Sequence, residues 1–220
     1  MKICRQGNGH YLNGLNNQDF CYAEGPLKLI TDGCSSALFS EVGTRLFAQQ
    51  FGILEERFDV NKFEENVETV FNKIFSMFTN DSKAKEDFIV NNMLFTIIAC
   101  FELDDKWIIK SMGDGYIITL NDENTVSYIR LFYGKTPPYY AYNKLNTSIY
   151  SEPLRFKTFE FPKNCFKKIG IASDGFSPIV EKKIPESFET FILGTDSKYT
   201  PEGIIKSSQS SFFDDITILI

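Results

Sequence analysis

Residues 93–129, MLFTIIACFELDDKWIIKSMGDGYIITLNDENTVSYI, decide the reading of the fold. Runs rich in β-branched and aromatic residues are broken at Asp104-Asp105, at Gly113-Asp114-Gly115 and across 121–124. Those residue types favour tight or left-handed turns, and the runs between them favour a pleated, half-buried surface. The stretch from Phe88 to Ile129 therefore reads as an antiparallel meander.

Working outward toward the N-terminus, residues 60–78 place Phe63, Val67, Val70, Phe71, Ile74 and Phe78 on one helical face. Before it, Leu38, Val42, Leu46, Phe47 and Phe51 recur at helical spacing, with Ser36 as the expected cap. Two short strands flank the Glu24-Gly25-Pro26 turn, the second ending at Asp32. Toward the C-terminus, 131–150 has Pro-Pro, many tyrosines and no clear period, and reads as an ordered surface loop or flap. Strands are expected near 154–161 and 167–175, a short helix near 201–211, and a last strand in DDITILI, 214–220. Strands in meander order around two consecutive long helices favour an α+β sandwich over a doubly wound parallel fold.

The length fits one domain spanning 1–220, and no apolar run approaches the roughly 20 residues that cross a bilayer. The first ten residues turn polar after four and lack the apolar stretch of a secretion signal, so the cytoplasm is the expected location. Five scattered cysteines without a C-x-x-C pair imply reduced thiols. A net charge of −6, from 23 basic and 29 acidic residues with no basic stripe, argues against a nucleic-acid partner. The single histidine leaves little room for histidine-based metal sites, so any metal is expected to be hard and held by oxygen.

Acidic residues stand at the ends of apolar runs in LITDG, GIASDG and FFDDITILI, and a fourth in MGDGYII. Any one Asp-Gly can be a hairpin turn or a helix cap. Brought together, Asp32, Asp174 and Asp214 would crowd three carboxylates that cannot all stay ionised without a cation. Oxygen ligands alone suit Mg²⁺ or Mn²⁺, and a bridging carboxylate can hold two such ions. Glycines after Asp32 and Asp174 are expected to let the backbone turn tightly there.

The order NNQDF, LITDGCSSALFSEVG, SMGDGYIITL, GIASDGF and DDITILI resembles the metal-dependent serine/threonine protein phosphatases of the protein phosphatase 2C family. It is most similar to the compact bacterial subgroup, through Gly7, His10, Gln18, Asp19, Asp32, Gly33 and Ser40 to Gly43. The resemblance implies a four-layer α-β-β-α sandwich, two antiparallel sheets flanked by helix pairs, with a dinuclear Mn²⁺ or Mg²⁺ centre at one end. It makes Asp32 the bridging ligand, puts the Gly33 carbonyl on one metal, and puts Asp174 and Asp214 on the other. Asp19 would hold metal-bound waters, and Asp114 with Asp174 would offer a third, weaker site.

The reaction so implied is hydrolysis of phosphoserine or phosphothreonine on a protein by a metal-activated water, opposite a serine/threonine kinase acting on the same target. Gly14 stands where many relatives carry an arginine that grips the substrate phosphate. His10 would contribute a hydrogen bond or act as the acid for the leaving group. Cys34 reads as a small packed cysteine or an oxidisable thiol beside the metals, and substrate recognition is expected to rest on the loop at 139–150. The other class consistent with these residues is a phosphatase-like domain that binds phosphoprotein without turning it over. A cysteine-dependent phosphatase is excluded, because the sixth residue after Cys34 is Ser40 and not arginine, and no phosphate-binding Gly-x-x-x-x-Gly-Lys-Ser/Thr segment exists.

Overall fold

The computed structural model describes residues 1–78, 81–146, 150–181 and 200–220. Among these residues, ten strands form two five-stranded sheets in which every adjacent pair is antiparallel. One sheet has the order β2 (Phe20–Glu24), β3 (Leu27–Gly33), β4 (Phe95–Glu102), β5 (Lys106–Met112), β8 (Lys157–Pro162). The other has the order β1 (Lys2–Arg5), β10 (Ile216–Leu219), β9 (Phe166–Ala172), β6 (Tyr116–Asn121), β7 (Val126–Arg130).

Period-two alternation along the strands sorts the apolar side chains into layers. In β4, Phe95, Ile97, Ala99 and Phe101 enter the layer beneath the helices, whereas Ile98 and Cys100 enter the layer between the sheets. That middle layer joins Ile30, Trp107 and Ile109 of the first sheet to Ile117, Ile169, Ile171 and Leu219 of the second. Because β4 is buried on both faces, its sequence is an apolar run rather than an alternating one.

The helical layer over the first sheet contains α2 (Ser40–Gly52), α3 (Phe63–Phe75) and α4 (Ser82–Asn92). Over the second sheet lie α5 (Ser177–Val180) and α6 (Pro201–Ser207), whose Ile179, Ile204 and Ile205 pack with Ile118, Ile216 and Ile218. The expected α-β-β-α sandwich is the observed architecture, with three helices rather than two on the first side.

Several elements depart from the sequence reading. The helix expected from Ser36 begins at Ser40, and Leu38 and Val42 point outward, 67% and 46% exposed. The inner face is instead Ser40, Gly43, Thr44, Phe47, Ala48 and Phe51. A Cβ on Gly43 would come within 1.8 Å of the Asn92 carbonyl oxygen, so α2 packs there through its smallest residues. Large apolar groups on the adjoining face are consequently turned to solvent.

The α4 helix carries almost no apolar signal because Ile89 is its only buried residue; Asp81 caps it by accepting from Ala84 N at 2.8 Å. Phe88 accordingly lies on this helix and not in the meander. Phe78 lies past the end of α3 in a 3₁₀ turn and pairs with the Phe88 ring at 5.0 Å. Also unforeseen are β1, whose pairing with β10 is entirely non-local, and the one-turn helix α1 (Asn8–Leu12).

The middle of the tyrosine-rich stretch is part of the core and not a flap, although Tyr133 is 80% exposed and 147–149 lie outside the described residues. Tyr139, Tyr140 and Ala141 are buried in the layer beneath the helices, and the Tyr140 ring lies 4.8 Å from that of Phe71. Glu68 on α3 receives both the Tyr140 hydroxyl and the Lys144 ammonium.

The rotation of α2 can be tested by paired truncations. Phe47→Ala removes a fully buried ring that meets Phe51, Phe71 and Phe95, and denaturant unfolding should show a loss of about 3–5 kcal/mol. Leu38→Ala should stay within about 0.5 kcal/mol of the native protein. A large loss at Leu38 would contradict the outward placement.

Candidate metal centre

Acidic residues from five separate segments converge where the two sheets meet. Asp19 immediately precedes β2, and Asp32 is the penultimate residue of β3, paired in register with Thr96 of β4. Asp114 occupies the turn that carries the chain from β5 in one sheet to β6 in the other. Its flanking glycines adopt φ of 109° and 116°, a region that disfavours side chains. Asp174 follows β9, and Asp214 and Asp215 precede β10.

Oxygens of Asp32, Asp114 and Asp174 lie within 4.8 Å of one another. Thr96, a polar residue buried in the mostly apolar strand β4, fixes Asp114 by donating to its Oδ1 at 2.7 Å and accepting from its backbone N at 3.0 Å. The Asp174 backbone N donates to Asp32 Oδ2 at 3.3 Å. Asp19 is 3% exposed, and neither of its carboxylate oxygens accepts a hydrogen bond of good geometry. Unsatisfied buried carboxylate oxygens are costly.

Asp214 belongs to a second group with His10 and Asp215, whose ligand atoms also lie within 4.8 Å of one another. Its Oδ1 accepts from the Asp215 backbone N at 2.9 Å, and its Oδ2 accepts from Ser35 Oγ at 3.5 Å. Asp215 is 2% exposed and accepts from the backbone N of Gly7 at 2.7 Å and of Gln18 at 2.6 Å. It thereby clasps the segment before β2 to the start of β10. Ser173 supports the same corner: its hydroxyl accepts from Thr217 N at 2.9 Å.

The backbones crowd together here, which explains the glycines. A Cβ on Gly33 would lie 2.5 Å from Ser40 Oγ, one on Gly175 would lie 1.9 Å from the Asp215 carbonyl oxygen, and one on Gly7 would lie 2.2 Å from the Asp214 carbonyl carbon. Gly33 and Gly175 have no positive φ. Their role is close approach, not the tight turning expected from the sequence.

Crowding and loss of solvent make several of these acids harder to ionise. Removal from water, followed by the charge of Asp215, raises Asp19 well above the usual carboxylate range. Burial, then Asp19, Asp174 and Asp114, does the same to Asp32. Asp174 is pushed up to about 7, first by desolvation and then by Asp114 and Asp214. Asp214 is raised chiefly by burial, against the opposing pull of the Asp215 amide and His10.

The acids singled out in the sequence, Asp19, Asp32, Asp114, Asp174 and Asp214, thus come close together, with Asp214 grouped beside His10. Cys34 sits against the helical core layer with its Sγ 3.1 Å from Ser36 Oγ. Gly14 has φ of 67° and open space where a Cβ would stand. Thr96, Ser173 and the structural part played by Asp215 were not foreseen. Of these, the second acid of Asp214-Asp215, placed directly before an apolar strand, carried the clearest signal.

An all-oxygen set of crowded carboxylates with unsatisfied lone pairs suits hard divalent cations. Carboxylates gathered at the seam of a two-sheet sandwich define proteins built around such ions. Residues 6–202 match the family model of protein phosphatase 2C, and this chain belongs to that family of serine/threonine protein phosphatases. No curated protein matches it significantly. Among solved structures, it is similar to serine/threonine phosphatase Stp1 from Staphylococcus aureus (TM-score 0.66, 11% identity, covering 99% of this chain and 92% of that one). It is also similar to PppA, a regulatory component of the type VI secretion system in Pseudomonas aeruginosa (0.64, 12%, 99% and 94%). A third is the catalytic domain of the phosphatase PstP in complex with two manganese ions (0.63, 14%, 99% and 94%).

Between about pH 4 and about pH 7 the metal-free fold holds more protons at Asp174 than the unfolded chain does, so its stability falls as pH rises through that window. In chelator, the thermal midpoint should drop from pH 5 to pH 8, and Mn²⁺ should abolish the drop. Metal-free Asp174→Asn should be more stable than the native protein at pH 8 yet gain little from Mn²⁺. A flat native profile in chelator would contradict the crowding.

Proposed function

We propose that this chain is an active metal-dependent phosphatase, a single catalytic domain formed by residues 1–220, that hydrolyses phosphoserine and phosphothreonine on proteins. The observation that carries the reading is the convergence of Asp19, Asp32, Asp114, Asp174 and Asp214 at one corner, with Asp32, Asp114 and Asp174 inside one coordination sphere's reach. A domain that only bound phosphoprotein would gain nothing from holding these mutually repelling acids together. In the proposed roles Asp32, the Gly33 carbonyl, Asp174 and Asp214 would hold two Mn²⁺ or Mg²⁺ ions. Asp114, aimed by Thr96, offers with Asp174 a third, weaker position.

Such ions supply an activated water and offset the charge of the phosphoryl oxygens. The chain's own residues do the placing. Asp19, buried and without a well-formed hydrogen bond to either oxygen, would accept from a water in the centre. Thr96 keeps the Asp114 carboxylate on the shared side of the seam, and the Asp215 clasp keeps Asp214 facing it.

No helix among the described residues is long and apolar enough to cross a membrane, and all five cysteines are free. Both support action in the reducing cytoplasm, on a phosphoprotein that a serine/threonine kinase has modified. One observation favours a second reading, phosphoprotein binding without turnover: Gly14 provides no cation for the substrate phosphate.

Hydrolysis of p-nitrophenyl phosphate and of a phosphoserine peptide with Mn²⁺, with Mg²⁺ and with chelator separates the two. The expected result is metal-dependent turnover that Asp174→Asn lowers by about 100-fold or more, the scale of losing a group that acts on developing charge. No turnover from a folded, metal-loaded protein, with phosphopeptide binding retained, would replace this reading with the second.

A further inference from the structure

His10 is the only histidine in the chain and is 6% exposed. A general acid must reach the leaving-group oxygen of a bound substrate, and a ring so enclosed presents no N–H to one. Both nitrogens instead face carboxylates. Nδ1 lies 2.9 Å from Asp215 Oδ2, off the axis of a good hydrogen bond, and Nε2 lies 3.6 Å from Asp214 Oδ1. Asp215 is anchored by the Gly7 and Gln18 amides. With Nδ1 set against Asp215, the nitrogen that faces Asp214 is Nε2.

We infer that His10 is a nitrogen ligand, through Nε2, for the divalent cation held by Asp214. The inference rests on the metallophosphatase reading and adds a donor to it. Two lone-pair atoms facing each other call for a cation between them, and adjacent ligands about 2.1 Å from an ion stand roughly 3 Å apart, so the 3.6 Å separation closes with a small movement. A ligating imidazole backed by a carboxylate is the common arrangement for histidine at metals. Here the ring is nine-tenths buried with an Nδ1 that lacks a well-formed hydrogen bond.

The chemical consequence is metal choice. Carboxylate and water ligands alone serve Mg²⁺ well, whereas imidazole favours the transition ions. The ion beside His10 is therefore Mn²⁺ or Fe²⁺ in preference to Mg²⁺.

A single histidine makes the test unambiguous. Pulsed electron paramagnetic resonance on the native protein with substoichiometric Mn²⁺ should show a directly bound nitrogen, and labelling only histidine with ¹⁵N should convert its ¹⁴N modulation to that of ¹⁵N. Titration calorimetry of His10→Gln should show Mn²⁺ affinity reduced by about 10–100-fold, with Mg²⁺ affinity changed less than about threefold. Tightly bound Mn²⁺ without histidine coupling would overturn this inference and leave the dinuclear reading standing. Absence of Mn²⁺ binding by a folded protein would overturn both. The spectroscopic result needs no variant, so it holds even if His10→Gln fails to fold.

Discussion

Mutual repulsion among acids that have been taken out of water is the constraint on which this structure turns. Asp19, Asp32 and Asp174 each prefer a proton they would not hold in solution, because desolvation and like charge both disfavour the anion. A fold that keeps such a group together must over-determine its position elsewhere. The sandwich does so with apolar layers on both faces of its central strands and with backbones packed so closely at the corner that Gly7, Gly33 and Gly175 leave no room for a Cβ. Local stability is given up where a cation is to be received, as is common at functional sites.

Position at the seam is what makes the corner versatile. Asp32 and Thr96 come from one sheet, Asp174 and Asp214 border the other, and Asp114 sits on the turn between them. No single element carries the site, so its geometry reports on how the two sheets are registered. Asp215 ties that register down: a buried carboxylate that receives two backbone amides from the N-terminal segment is a stronger fastener than a surface ion pair. The Lys144–Glu68 and Lys106–Glu160 pairs, by contrast, are at least partly solvated.

The fold was legible wherever chemistry is local. The meander at 93–129 and the face of α3 follow from periodicity, and each acid at a strand end was visible as a polar residue closing an apolar run. What stayed hidden depends on distant partners. The rotation of α2 is imposed by the Asn92 backbone against Gly43, the burial of Tyr139 and Tyr140 by α3 and Phe156, and β1 by a strand at the other end of the chain. α4 was silent because a helix that buries only Ile89 has no apolar stripe to read. In the site, the acids were legible and their supports were not, since Thr96 and Ser173 acquire meaning only from what lies across the seam.

Separation along the chain gives the clasp a consequence for biosynthesis. Gly7 and Gln18 are joined to Asp215 across 208 and 197 positions, so everything from Gly7 to Asp215 must be made before the corner can close. A chain still emerging from the ribosome lacks Asp214, Asp215 and β10, and its other acids have neither their fastener nor their fixed distances. Long-range closure of this kind also slows folding. The growing chain thereby lacks the assembled acidic corner until β10 is in place, a delay written into the order of its residues.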